Sequence, residues 1–160
     1  MLGVVPHVES AGLLLYRTTA GHVEVLLAHM GGPFWARKDQ AWTIPKGHRE
    51  NGEADLLAVA KREFAEEMGS AAPSGRTLEL GSIRSGQKTV IAFAREADFN
   101  ADTIVSNTFT IEWPYRSGRM AEFPEVDRAA WFDLETAATM LVASQVPFLN
   151  RLASALHPNG

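Results

Sequence analysis

The sequence predicts a mixed α/β domain built in layers, and three observations carry the prediction. Short apolar runs of strand length alternate along the chain with stretches of helical period. Turn residues and helix caps mark the boundaries between them. The chain of 160 residues, 46% apolar and 21% charged, has ordinary globular composition and the length of one domain, 1–160.

Ala11 to Tyr16 is an apolar run, Thr18 to Gly21 supplies turn chemistry, and Val23 to His29 resumes the run, which predicts two strands. Gly31-Gly32-Pro33 breaks the pattern and opens a loop to about Ala41, followed by a short strand at Trp42-Thr43-Ile44 that ends at Pro45. The next element is helical. Asp55 is placed to cap it, Leu57, Ala60, Phe64 and Met68 recur at helical spacing, and Gly69 stops it. A turn-rich stretch from Ala71 to Gly75 precedes a strand at Thr89 to Ala94. Asp98 to Asp102 reads as a turn. Phe109, Ile111 and Trp113 alternate as a further strand, and Ala129 to Phe132 form a last one. Asp133 is placed to cap a helix through Met140, and Pro147 to start one through Leu156.

Composition excludes several functions. There is no cysteine, hence no disulfide scaffold, thiolate metal site or cysteine nucleophile. Fifteen Lys and Arg against nineteen Asp and Glu give a net charge of −4, which argues against a stable nucleic-acid partner but not against a small phosphorylated ligand. The N-terminal MLGVVPHVESAGLLLYR lacks the basic start and long apolar core of a signal peptide. No run reaches the length of a membrane span, so no membrane partner and a cytoplasmic location are expected.

Much of the acidity is local. Gly47 to Glu67 holds six acids (Glu50, Glu53, Asp55, Glu63, Glu66, Glu67) against three bases (Arg49, Lys61, Arg62), which is −3 of the total. At 100° per residue, Glu63, Glu66 and Glu67 fall within about a third of a turn, with the apolar stripe of Leu57, Phe64 and Met68 about 120° from Glu63. Like charges so close repel, and one guanidinium at Arg62 cannot balance three carboxylates. Either this is a solvated acidic face, or the cluster holds a hard divalent cation such as Mg²⁺, which takes oxygen ligands.

The segment resembles the signature of the Nudix hydrolases: Gly, five residues, Glu, seven residues, Arg-Glu, an apolar residue, any residue, Glu-Glu, any residue, Gly, an apolar residue. Gly47, Glu53, Arg62, Glu63, Phe64, Glu66, Glu67 and Gly69 fill these positions in order. Two departures stand out. Residues 54 to 61 make eight rather than seven between Glu53 and Arg62, and Ser70 takes the last apolar position. The extra residue is expected at the loop-to-helix junction near Ala54, because Arg62 to Gly69 keeps its spacing.

The resemblance implies an α/β/α sandwich with a mixed sheet, and cleavage of a pyrophosphate link in a nucleoside diphosphate joined to another group, with Mg²⁺ or Mn²⁺. By motif position Glu63 and Glu67 are metal ligands, Glu66 assists, and the Gly47 carbonyl is a further ligand. Arg62 orients the carboxylates, with Glu53 part of the same catalytic set. The general base often lies outside the motif. Glu122 and Glu125, in AEFPEVD, are the candidates, with a solvated acidic loop the alternative. Dimers are common in the family, so a homodimer is admitted, although no apolar surface stripe in the sequence marks an interface.

Trp42 to His48, WTIPKGH, is similar to the entry of the motif in the diadenosine polyphosphate and diphosphoinositol polyphosphate branches. It suggests Lys46 and Arg49 as phosphate contacts, with ordinary surface charge the alternative. In Trp113 to Arg119, WPYRSGR, rings such as Tyr115 would stack a base and Arg116 and Arg119 would hold phosphates; the alternative is packing for Trp113 and solvent for the arginines. Phe34 and Trp35 would form a lid over a base, or simply pack. Gly81 to Thr89, GSIRSGQKT, imitates a phosphate-binding loop but has Gln87 before Lys88 and is followed by a strand-like run, so it is set aside. The five histidines, His7, His22, His29, His48 and His157, lack ligand spacing and are read as non-catalytic.

The leading expectation is a hydrolase of dinucleoside polyphosphates such as diadenosine tetraphosphate. ADP-ribose or another nucleotide sugar, a nucleoside triphosphate and capped RNA are rivals within the enzyme class. A Nudix-like module that binds nucleotide without cleaving it is the rival outside that class, though it has no need of all three glutamates and the arginine.

Overall fold

A strand that is apolar at every position suits a place covered on both faces. AGLLLY meets that description and forms the centre of β1 (Val8–Thr19), where Leu13, Leu14 and Leu15 are all fully buried. The protein is described by a computed structural model over residues 7–157, so the reading of the first six residues lies outside the described part. β1 turns through Ala20 and Gly21, both at positive φ, into β2 (His22–Met30). β6 (Lys88–Glu96) lies parallel to β1 along its length, from Val8 opposite Lys88 to Tyr16 opposite Glu96. β5 (Thr77–Ser85) pairs antiparallel with β6, and β9 (Val126–Asp133) with β2. The seven-stranded sheet is therefore mixed.

β1 and β2 pair only from Tyr16 opposite Val25 to the turn. Beyond that point they part, and the segment from Trp42 to His48 fills the fork. β3 (Trp42–Thr43) bonds to β2, and β4 (Lys46–His48) bonds to β1 at Ser10 to Gly12. The backbone is drawn in tightly there: Leu13 N donates to Pro45 O at 3.1 Å, and a Cβ on Gly12 would press on Lys46, Pro45 and Ile44 at 3.0–3.1 Å. This wedge sets where Lys46 and Gly47 lie.

Helices cover both faces. α1 (Leu56–Met68) buries Val59, Ala60, Phe64 and Met68 against Leu13, Leu15, Leu26 and Phe93. α2 (Leu134–Met140) and α3 (Val146–Leu156) bury Ala137, Phe148, Leu149 and Leu152 against Leu14, Tyr16 and Leu27 on the other face. The α/β/α layering expected from the resemblance is present. Asp55 Oδ1 accepts from Leu57 N and Ala58 N, and Gly69 closes α1 in the left-handed region at φ 80°, as its sequence position predicts. Asp133 caps α2 by accepting from Thr136 N at 2.7 Å. Among the described residues no helix is long and apolar enough to cross a membrane.

Three strands were not anticipated: β4, β5 and β8 (Met120–Pro124), which pairs with β7 (Thr108–Glu112) as a separate hairpin. In β5 only Leu80 is fully buried, and the pairing slips between Glu79 and Gly81, so no alternation survives in TLELGSIRS. The phosphate-loop imitation GSIRSGQKT spans the β5–β6 turn, which accounts for the strand that follows it. Trp113 lies one residue past β7 rather than within it.

Candidate active site

Arg62 stands among four carboxylates. Its Nε and Nη2 donate to Glu53 Oε2 and Oε1 at 2.9 and 2.7 Å, a bidentate pair. Nη1 donates to Glu63 Oε1 at 2.8 Å and lies 3.3 Å from both oxygens of Glu66, with Glu50 at 3.7 Å. Nη2 also donates to the His48 carbonyl at 3.0 Å. With eight residues between them Glu53 still reaches Arg62: the loop turns at Gly52 (φ 89°) and the helix begins only at Leu56. Within that loop Glu50 N donates to Glu53 Oε1 at 2.8 Å. The Arg62 hydrogen bonds hold the Glu53 carboxyl below the usual carboxylate range.

Glu63 and Glu67 face the wedge. Gly47 is needed there for space: its φ is ordinary, but a Cβ would fall on the Glu63 carboxylate. Glu67 is 8% exposed, and its Oε2 accepts from Lys46 N at 3.1 Å. Burial, then the charge of Glu63, pushes the Glu67 carboxyl up to about 8. Burial raises Glu63 as well, against the pull of Arg62. Burial also lowers the Lys46 ammonium, while Glu67 opposes that shift.

The donor set is all oxygen and short of positive charge, which is the chemistry of a hard divalent cation. The fit is one of composition. Among the described residues no three acidic or imidazole side chains converge as a ready metal shell. The reason lies in the contacts: Arg62 Nη1 sits between Glu63 and Glu66, and Glu67 is turned to the Lys46 amide.

Two cavities meet at these residues. A groove of about 460 Å³ is lined by Gly47, Glu50, Glu63, Glu66, Asn107 and Glu125 together with Lys46 and Glu67. A cleft of about 420 Å³ on the other side is mainly apolar, with Met30, Ile83, Val90, Val142 and Phe148, and it shares Lys46 and Glu67 with the groove. Lys88, Ser85, Ser144 and Gln145 add polar groups to the cleft, and Trp35 stands on its wall. Gln145 is buried and fixed, its Oε1 accepting from Ile44 N at 2.9 Å and from Thr43 Oγ1 at 3.2 Å.

Glu125 reaches the groove from the far end of the chain through backbone bonds. Its N–H donates to Asn107 O at 2.8 Å, its carbonyl accepts from Gly31 N at 2.9 Å, and Asn107 N donates to Glu66 O at 3.0 Å. Glu122, the other base candidate, lies exposed on β8 and outside both cavities. Lys46 and Trp35 are brought to the cleft. Arg49 is not: it donates to Glu53 O at 2.6 Å and to Glu9 at 3.2 Å. Tyr115, Arg116 and Arg119 sit at the turn of the β7–β8 hairpin, a two-stranded sheet of its own, and line neither cavity. Asn107, Ser85, Lys88 and Gln145 were not anticipated. Lys88 closes the rejected phosphate-loop imitation, so a basic residue at a turn was its one visible signal. His29 is buried and bonded to Asp127 through Nδ1 at 2.7 Å, away from either cavity.

A model of the NUDIX domain matches residues 6–152. A bis(5'-nucleosyl)-tetraphosphatase (asymmetrical) of Caenorhabditis elegans is 43% identical over 60 residues, a stretch that covers 38% of this chain and 39% of that protein. A crystal structure of a C. elegans Ap4A hydrolase binary complex superposes with a TM-score of 0.64 at 25% identity, covering 94% of this chain and 98% of that one. The NUDIX domain of Shewanella oneidensis NrtR, complexed with ADP ribose, shares the fold at a TM-score of 0.66 and 14% identity, with 96% and 90% coverage. With the domain model spanning nearly the whole chain, this protein belongs to the NUDIX domain family.

Proposed function

We propose that this chain is a pyrophosphohydrolase that cleaves a phosphoanhydride bond in a dinucleoside polyphosphate such as diadenosine tetraphosphate. One observation carries the reading: an apolar cleft of nucleoside size and an acidic groove meet at Lys46 and Glu67. A nucleoside in the cleft, against Trp35, Ile83 and Val142, leads its phosphates past Lys46 and Lys88 into the groove. The C. elegans tetraphosphatase and Ap4A hydrolase support this choice of substrate.

Glu63, Glu66 and Glu67, with the Gly47 carbonyl, would hold Mg²⁺ or Mn²⁺, which supplies the positive charge that polarises phosphoryl oxygens and acidifies water. Arg62 keeps Glu53, Glu63 and Glu66 in register by its hydrogen bonds. Lys46 offers an ammonium whose charge burial makes costly, so a bound phosphate satisfies it. Glu125 faces the groove as general base. It takes a proton from the attacking water as the water oxygen bonds to phosphorus and the anhydride P–O bond breaks.

Incubation with Mg²⁺ and a panel of diadenosine polyphosphates, ADP-ribose, nucleotide sugars and nucleoside triphosphates, with products separated by chromatography, tests the reading. Preferential conversion of diadenosine polyphosphates to mononucleotides is expected. Preferred cleavage of a nucleotide sugar would refute the substrate, and ligand-induced stabilisation with no product from any compound would refute the hydrolase.

A further inference from the structure

Large apolar side chains are costly to leave in water, and clusters of them mark surfaces that bind something. Five stand exposed among the described residues: Phe34, Val105, Trp113, Tyr115 and Met120. All but Val105 lie on the β7–β8 hairpin or on the loop after β2 that packs against it. Tyr115 is 76% exposed and Phe34 60%. The two segments are fitted together. The rings of Phe34 and Trp113 meet edge to face at 6.0 Å. Gly31 and Gly32 leave room for the hairpin, since a Cβ on Gly31 would fall on the Pro124 carbonyl and one on Gly32 would press on Phe109 at 2.7 Å.

Cations are interleaved with these rings. Lys38 Nζ lies 5.2 Å from the centre of the Trp35 ring, and the Arg116 guanidinium 5.2 Å from that of Tyr115. Arg37 and Arg119 complete a set of four, and none of the four makes an ion pair among the described residues. Three acids share these segments, Asp39, Glu112 and Glu122, and Glu112 is engaged in accepting from Arg116 N at 2.8 Å. Arg116 also holds a positive φ of 61°, a conformation that costs a non-glycine residue free energy and persists only where the surroundings impose it.

The surface adjoins the cleft through the loop after β2. Trp35, on the cleft wall, is the chain neighbour of Phe34, which contacts Trp113. At its other end the hairpin carries Glu125 into the acidic groove.

We propose that the β7–β8 hairpin is a second nucleoside platform: the base that lies outside the cleft stacks on the Trp113–Tyr115 surface, and Arg116 and Arg119 pair with the adjoining phosphates. Exposed rings alternating with free cations match a ligand that alternates π faces and phosphates. The proposal rests on the dinucleoside polyphosphate reading of the cleft and gives that reading its specificity. A substrate with one nucleoside fills the cleft alone, whereas one with two also gains the hairpin.

The test compares diadenosine tetraphosphate with adenosine 5'-tetraphosphate, which keeps the phosphate chain and lacks the second nucleoside. Titration calorimetry in EDTA measures binding to the parent, to Tyr115→Ala and to Arg116→Gly, where glycine accepts the positive φ without strain. The parent is expected to bind the dinucleotide about tenfold more tightly, the scale of stacking one base, and both variants to bring the ratio under about twofold. Equal affinities in the parent, or a preference that survives in both variants, would overturn the platform. A parent dimer that Tyr115→Ala dissociates in analytical ultracentrifugation would assign the surface to a second copy and overturn it too. Hydrolysis in Mg²⁺ is scored separately, so absence of turnover refutes the enzyme reading while the binding ratio still decides the platform. Tyr115 is well exposed, so unchanged circular dichroism and melting temperature are expected of its variant.

Discussion

Replacing Glu67 by Gln should stabilise the metal-free protein at alkaline pH. The carboxyl is 8% exposed, and burial with the charge of Glu63 raises it to about 8. A carboxyl raised in the folded state adds stability while protonated and loses it as pH rises from its unfolded value, near 4.5, through 8. A tenfold change in proton affinity between the folded and unfolded chain is worth about 1.4 kcal/mol, so the rise from 4.5 to about 8 costs the folded state on the order of 4 kcal/mol at pH 8. Glutamine keeps an oxygen for the Lys46 amide and carries no charge, so the variant escapes that cost. For a chain of this length the gain corresponds to roughly 8–16 °C in melting temperature at pH 8, shrinking towards zero at pH 4.5. Thermal unfolding in EDTA, followed by circular dichroism at steps from pH 4.5 to 8.5, measures it. A variant no more stable than the parent at pH 8, or one whose curve keeps the parent's slope, would show that Glu67 carries no such burden in the folded state.

Gly47→Ala should displace the Glu63 carboxylate, because the new Cβ would fall on it; Mg²⁺ affinity by calorimetry and turnover should each fall about tenfold or more. Arg62→Lys keeps the charge but loses the fork that holds Glu53, Glu63 and Glu66, so about 1–3 kcal/mol of stability should be lost in urea unfolding and turnover should fall. Glu125→Gln should lower kcat about 100-fold while KM stays near the parent's, and turnover within a few fold of the parent's would exclude Glu125 as the base.

How much of this was legible in the sequence depended on whether the signal was local. Asp55 and Gly69 cap α1 where they stand in the sequence, and the apolar run Ala11–Tyr16 gave its strand, because capping and continuous burial act over a few residues. The cluster of Glu63, Glu66 and Glu67 followed from helical geometry alone. β4 was hidden because Pro45-Lys46-Gly47 reads as a turn, and only the parting of β1 from β2 supplies it with a partner. β5 was hidden by its slipped pairing at Gly81. Asn107, Lys88 and Gln145 reach the cavities by tertiary packing that no spacing records. Arg49 carried the right chemistry, but the fold puts it on Glu9, and Tyr115 stands exposed on the β7–β8 turn, outside the cleft, so spacing alone could not tell which part of a ligand it would meet.

We propose that the carboxylates beside Arg62 serve the hydrolysis. Steady-state turnover of diadenosine tetraphosphate by Glu67→Gln with saturating Mg²⁺ tests it most directly, on the same variant expected to be the more stable at pH 8. A fall of about two to four decades in kcat from a well-folded variant is the predicted result. Turnover within a few fold of the parent's would contradict it.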